Sequence, residues 1–396
     1  MPGQTPQRRN ALFVLFLLPG LGISSWVTRT PDVRDLLEAS TARMGFILFG
    51  LSVGSMLGIL SSGPLVTRWG TRPVMAAGLA GVALGCGLIG LGAATSQDLV
   101  VAAGLAVFGL GMGGGEVAMN IEGADIERLL GRSVLPALHG FFSLGTVVGA
   151  VAGMTLTSTD FPVLPHLALM AVLVLAGTAA AIRYVPSGVG RRARDTAHAR
   201  RDASRPAVWK DSRLLLIGCI ILALALAEGT ANDWLPLVMV DGHGFDAALG
   251  SAVYAVFAAS MTVGRFAGGW FVDRFGRAAV LRASALTSAA GLALVIFADN
   301  QVLAAAAVIL WGLGASLGFP VALSAAGDSG DDSAARVSLA ATVGYVAFLV
   351  GPPIIGLLGE EVGLRYALIF VLVLVAAASL AAPAARPVTD RKVPAK

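Results

Sequence analysis

The chain has 396 residues, 56% hydrophobic and 13% charged, with 28 Lys and Arg against 24 Asp and Glu and a mean hydropathy of +0.80. A water-soluble domain of this length needs far more surface charge, so the composition excludes one and points to a polytopic membrane protein. The net charge of +4 is no argument for a nucleic-acid partner, because the basic residues are distributed by membrane side.

A helical span needs about 20 apolar residues to cross roughly 30 Å of hydrocarbon. Twelve such runs are predicted, at approximately 10–28, 42–62, 74–94, 99–121, 134–157, 164–184, 213–236, 248–271, 278–298, 302–326, 336–358 and 364–384. They lack the alternation of barrel strands, and a helix satisfies its own backbone in lipid. Arg8 and Arg9 precede the first run, and no small-residue cleavage pattern follows before Trp26. An uncleaved span is therefore expected rather than a removed signal. With the N-terminus inside, 24 of the 28 basic residues fall on the inner side, which predicts cytoplasmic termini. Cys86 and Cys219 lie within runs and are expected to be lipid-buried thiols.

The first span ends at Ser24-Ser25-Trp26 and leads into an external segment, Thr28 to Arg34. The second runs into Gly63-Pro64-Leu65-Val66-Thr67-Arg68-Trp69-Gly70-Thr71-Arg72, read as a tight turn between spans. The fourth holds Gly109, Gly111 and Gly114, a match to a dinucleotide-binding fingerprint. That motif needs a preceding strand and a soluble βαβ unit, so the match is set aside. The fifth opens near His139 and carries Gly145, Gly149 and Gly153 at the four-residue spacing of close helix packing. Residues 185–212 are polar and arginine-rich, which predicts a cytoplasmic linker lying against anionic headgroups.

Beyond the linker the chain repeats itself. Asn232-Asp233-Trp234 ends the seventh span as Ser24-Ser25-Trp26 ends the first. Gly268-Gly269-Trp270-Phe271-Val272-Asp273-Arg274-Phe275-Gly276-Arg277 rewrites the earlier turn, with Asp273 where Thr67 stood. Trp311-Gly312-Leu313-Gly314 matches Phe108-Gly109-Leu110-Gly111, and the same offset carries Asp125 onto Asp328. Landmarks at nearly constant offset predict a parallel repeat of six helices. The expected organisation is all-α: a first bundle over 1–184, a linker over 185–212, and a second bundle with a short cytoplasmic tail over 213–396.

Twelve spans, a six-plus-six repeat, a basic central loop and the Gly-x-x-x-Asp-Arg-x-Gly-Arg turn resemble the major facilitator superfamily of secondary transporters. Gly115 to Asn120 and Leu138 to Gly145 are similar to a bacterial branch distantly related to the fucose/proton symporters. The resemblance implies two bundles around a central cavity that rock between inward- and outward-open states. It implies a cavity lined by spans one, four, seven and ten, and a moving interface made by spans two, five, eight and eleven. Drug/proton antiporters of the superfamily carry an Arg where this chain has Leu105. They also carry a Gly-Pro pair in the fifth span, where Gly149 here precedes Ala150. Export of drugs or metabolites is therefore the alternative reading, and a non-transporting membrane sensor a third.

Charge inside a bilayer is costly, so acids within spans are the first candidates for function. Glu228 lies 15 residues past Arg213, roughly 22 Å into the seventh span. Asn232 shares its face one turn on, whereas Asp233 points away. Glu228 is read as a proton carrier and Asn232 as a reader of solute hydroxyls, or Glu228 as a structural acid. Glu116 pairs with Asn120 at the same spacing. It is either a solute, proton or gate residue, or the partner of a permanent salt bridge to Arg265 or Arg72. His139 suits a proton relay or an interfacial hydrogen bond. Trp26, Trp234, Tyr254, Trp311, Phe319 and Tyr345 are candidate cavity aromatics, with interface anchoring or lipid contact the alternative for the tryptophans.

The turns have a mechanical reading beside a purely topological one. In it, Asp273 faces the start of the eleventh span, Gly269 leaves room for the approach, and Arg274 or Arg277 pairs with Asp328. Gly63, Arg68, Gly70, Arg72 and Asp125 would make the weaker first copy, with Gly276 closing the second. The expected function is proton-coupled transport of a small, polar, sugar-like solute across a bacterial inner membrane. The chain is expected to act as a monomer, without cofactor, metal, enzymatic activity or nucleic acid. The ion gradient would supply the energy.

Overall fold

A computed structural model describes residues 4–131, 134–191, 211–327 and 333–386. In chain order the helices are α1 (Gln4–Val27), α2 (Thr30–Leu37), α3 (Thr41–Trp69), α4 (Thr71–Ala94), α5 (Asp98–Leu130), α6 (Leu135–Ser158) and α7 (Val163–Ile182). They continue with α8 (Ser212–His243), α9 (Ala247–Phe275), α10 (Arg277–Phe297), α11 (Gln301–Ala315), α12 (Gly318–Gly327), α13 (Ser333–Val362) and α14 (Leu364–Ala381). A 3-10 turn at Ala382–Ala385 follows. Among the described residues, twelve stretches are long and apolar enough to cross a membrane, with α11 and α12 forming one of them. Successive crossings alternate, so residues 4, 191, 211 and 386 share one face, here the terminal face. The opposite, distal face carries α2.

The external segment is not extended: Thr30 to Leu37 is helical, started by Pro31 and stopped at Glu38 in a left-handed conformation (φ 49°). Pro fits the first helical turn because its missing N–H would be unpaired there anyway. The tenth span is broken between α11 and α12. Pro320 has no N–H to give the Ser316 carbonyl, and the Ser316 hydroxyl donates back to the Leu313 carbonyl at 2.7 Å.

Both copies of the repeated turn differ from expectation in the same way. The helix runs on through Gly63 to Trp69, and through Gly269 to Phe275. Reversal is confined to one residue, Gly70 (φ 87°, ψ 171°) and Gly276 (φ 78°, ψ 159°). Such backbone is open essentially to glycine alone. Matching bonds, Gly70 N–H to Val66 O at 2.7 Å and Gly276 N–H to Val272 O at 2.9 Å, close the two copies.

Glycine also sets the packing. A Cβ on Gly54 would stand 2.0 Å from the Ala106 carbonyl oxygen, and one on Gly109 2.2 Å from that of Leu51. The glycines that mimic a nucleotide fingerprint thus let α5 press its backbone on α3 and α4. Gly145, Gly149 and Gly153 seat α6 on α1 in the same way, against Leu17, Ser24 and Thr28. In the second half α8 packs on α13 and α14, and α10 on α11 and α14.

The halves meet through α3 with α13 and α6 with α9. Hydrogen bonds across this seam include Arg34 to Asp241, Ala42 N–H to Glu360 at 3.0 Å, and Ser251 Oγ to the Thr28 carbonyl at 2.8 Å. All three lie toward the distal face. Ser52 Oγ donates to the Phe348 carbonyl at 2.8 Å further in. Gly45 lies against Pro352 and Gly356, so there the seam is backbone on backbone. Cys86 is buried inside the protein rather than in lipid, while Cys219 is exposed.

Candidate functional site

α8 brings Glu228 and Asn232 to the middle of the molecule as its spacing requires. Glu228 is mostly buried and accepts from Arg265 Nη2 of α9 at 2.7 Å. Arg265 sits inside the eighth predicted span, and the sequence offers it as a partner for Glu116 rather than for Glu228. An intramembrane arginine was the available signal. Asn232 Oδ1 accepts from the Tyr254 hydroxyl at 3.2 Å, so this amide is partly occupied by its own bundle.

Glu116 enters from the first half on α5. It makes neither the salt bridge to Arg265 nor that to Arg72, since Arg265 is taken by Glu228. It nevertheless lies within electrostatic reach of both Arg265 and Glu228. Glu116 and His139 border one small cavity with Phe16, Pro19, Met112, Met119 and Phe142. His139 stands edge-on to Phe16 with ring centroids 5.4 Å apart. Asn120 keeps its Oδ1 buried without a partner. A dry, unpaired carbonyl is costly unless something else supplies a donor.

Asp233 is the residue that helical-wheel reasoning dismissed. It is half-buried within α8, acts electrostatically on Tyr254, and has no hydrogen-bond or ion-pair partner among the described residues. Tyr345 of α13 lies within reach of Glu116. The site therefore gathers three carboxylates, one guanidinium, one imidazole and two phenols from both halves. It is more ionic than a count of acids in the sequence indicated.

The aromatic walls divide. Phe319 and Tyr345 are half-buried. Trp26, Trp234 and Trp311 are 1%, 0% and 0% exposed, and Tyr254 is 2% exposed. The three indoles are packed inside the protein in this conformation, so they neither wall an open cavity nor anchor in lipid. Trp311 is held edge-on against Phe257 at 5.7 Å.

The first copy of the turn does not form the lock expected of it. Asp125 pairs with Arg8 of α1 at 2.7 Å and with Arg128, not with Arg68 or Arg72. Arg8 also holds the fully buried Glu122 at 2.5 Å, and the Thr71 hydroxyl donates to the same carboxylate. A carboxylate removed from water must be paired, and Arg8 is nearer than the turn because α1 runs beside α5. Arg68 lies 5.8 Å from the Trp69 ring centroid, and Thr67 bonds back to the Gly63 carbonyl at 2.9 Å. In the second copy Asp273 and Arg274 are exposed, and neither makes a hydrogen bond or ion pair among the described residues. Gly269 has nothing within 4 Å of where a Cβ would stand, so the close approach it was read as allowing is not made here. Asp328, the proposed partner of Arg274 or Arg277, lies outside the described residues.

A twelve-span helical protein with charged side chains meeting between two halves is built as a membrane transporter. The family model "Major Facilitator Superfamily" matches residues 11–345 and 264–396, and the chain belongs to that family. It is thus a secondary transporter and not an enzyme. It is 31% identical to an uncharacterized MFS-type transporter of Yersinia pestis, over 96% of each chain. It is 30% identical to the uncharacterized transporter y4wD of Sinorhizobium fredii, over 93% of this chain and 95% of the relative. Among solved structures it resembles the nucleoside transporter NupG, with a TM-score of 0.75 at 14% identity, covering 97% of this chain and 100% of that one. It also resembles the E. coli fucose:proton symporter FucP, with a TM-score of 0.64 at 17% identity, covering 95% and 98%. These likenesses are of fold.

Proposed function

We propose that the chain carries a small, polar, hydroxyl-rich solute across a bacterial inner membrane together with protons. The observation that supports this reading is the meeting of Glu116 from the first half with the Glu228–Arg265 pair of the second. A carboxylate whose only strong partner is one arginine loses that attraction when it takes a proton. Protonated Glu228 releases Arg265, and Arg265 turns to Glu116 in the other half. That exchange joins proton uptake to the relation between the bundles, the differential interaction a conformational change requires. Asn232 and Asn120 offer amides to solute hydroxyls, Tyr345 and Phe319 offer ring faces, and His139 passes the proton toward the terminal face. Asp233 is the outer carboxylate of this path.

In this reading the bundles span 1–184 and 213–396, residues 185–212 link them, both termini are cytoplasmic, and the protein works as a monomer. With the distal seam closed, the described conformation faces inward, and Asp273 waits for the outward-facing state before engaging. Similarity of fold to transporters described as acting on nucleosides and on fucose with protons favours a hydroxylated solute.

The test is a thermal-shift screen of sugars, polyols and nucleosides, followed by uptake of the stabilising solute into proteoliposomes with and without a pH gradient. Uptake accelerated by an inward proton gradient is expected. Uptake indifferent to it removes the coupling, and uptake driven by the opposite gradient makes the protein an antiporter.

A further inference from the structure

A second site lies away from the centre, on the terminal face. α8 and α14 diverge there to leave an open groove of about 550 Å³, lined by Ser212, Arg213, Leu216, Ala377, Leu380 and Pro383 among others. The volume falls in the roughly 300–1,000 Å³ range of small-molecule sites. Leu216 and Leu380 are 45% and 79% exposed, so the groove opens sideways, where lipid surrounds the helices. Arg213 stands at its headgroup end. It donates through Nε to the Ala384 carbonyl and through Nη2 to the Arg386 carbonyl, each at 2.7 Å. Its Nη1 is buried with no partner. Arg336, itself paired with Asp211, lies within electrostatic reach of Arg213.

We propose that this groove holds an anionic phospholipid, its phosphate on Arg213 and an acyl chain along Leu216, Ala377 and Leu380. The charge favours an anion, and the apolar walls favour a lipid over a free ion. Basic pockets between membrane helices recognise such headgroups. The neighbouring stretches of this chain are poor occupants: residues 192–210 carry six basic against two acidic side chains, and 387–396 three against one. Like charges would meet Arg213.

The test measures lipid retention on the purified full chain by native mass spectrometry, and its melting temperature against added phosphatidylglycerol, phosphatidylcholine or inorganic phosphate. Phosphatidylglycerol should be retained about tenfold over phosphatidylcholine and should raise the melting temperature, with phosphate alone giving no rise. Arg213→Gln should erase the preference. Because Arg213 also ties the chain after α14, Leu380→Trp serves as a second variant, filling the groove at a lipid-exposed position with Arg213 intact. It should lower phosphatidylglycerol retention by a similar factor. Equal retention of the two lipids, or retention unchanged by Leu380→Trp, overturns the proposal. Protection by phosphate alone reduces the site to an ion contact and overturns it too. Tighter lipid binding after removal of residues 387–396 assigns the groove to the chain's own tail.

Discussion

Arg265 on α9 hydrogen-bonds Glu228 on α8 at 2.7 Å, and the pair sits inside the second half while facing the first. Removing one member leaves the other charge without its partner; for a fully buried pair that costs about 3–5 kcal/mol. Arg265 is 34% exposed, so solvent screening brings the expected cost to about 1–2 kcal/mol. Glu228→Gln and Arg265→Gln should each lower the melting temperature. The double variant should recover most of the loss, giving a coupling energy that a double-mutant cycle reads directly. Additive losses would mean that the two side chains do not depend on each other.

The distal seam yields a conformational prediction. Arg34 on α2 bridges to Asp241 on α8, joining the halves. The Arg34 side chain is 18% exposed and that of Asp241 31%, so the contact ranks with exposed pairs worth roughly 0.2–1 kcal/mol. Arg34→Gln should raise the distal-open population by no more than about fivefold. Labelling rates of a cysteine placed in the seam, measured from the distal side, would report it. An Arg34→Asp/Asp241→Arg swap should return labelling to the parental rate.

Asp211 caps α8 by accepting from the Arg213 and Leu214 N–H groups at 2.9 and 3.3 Å. The Arg336 guanidinium, donating to the same carboxylate, holds its pKa below the ordinary range, with the cap bonds acting in the same direction. A depressed folded-state pKa contributes stability that is present above the unfolded value, about 3.9, and is lost as pH falls through the folded value. Asp211→Ala should cost about 1 kcal/mol near neutral pH. The gap between parent and variant melting temperatures should close as pH drops below about 4. A gap that stays constant to pH 3 would show that the charge is not what Asp211 contributes.

Glycine positions separate packing from mechanics. Gly54→Leu places side-chain atoms against the Ala106 carbonyl and should abolish accumulation of folded protein. Gly269→Ala meets nothing in this conformation and should fold normally. If Gly269 matters only when the second turn closes on α13, Gly269→Leu should keep the parental melting temperature and slow transport. Normal transport by Gly269→Leu would leave the turn as a topology signal.

Much of the fold was legible because membrane crossing imposes it: length and hydropathy mark each span, and the glycine stripes mark where backbones touch. The break between α11 and α12 was legible in principle through Pro320. The helix α2 was not, because its short run depends on burial of Thr30, Pro31, Val33 and Leu37 against the bundle. At the site, Glu228 and Glu116 stood out as isolated acids. Arg265 stood out as a partner for a buried acid, but the sequence set it beside Glu116 rather than Glu228, and Asp233 was hidden by an angle measured on an ideal helix. Arg128, three residues past Asp125 on the same helix, was legible as its partner; Arg8 was not, because contact between α1 and α5 is tertiary and no spacing within either helix announces it.

The most direct measurement concerns Glu228. Protein in proteoliposomes enclosing a pH-sensitive dye is challenged from outside with the sugars, polyols and nucleosides that raise its melting temperature. The parent should acidify the interior as solute enters. Glu228→Gln should abolish that acidification while still exchanging labelled for unlabelled solute. Acidification by Glu228→Gln at the parental rate would contradict the account.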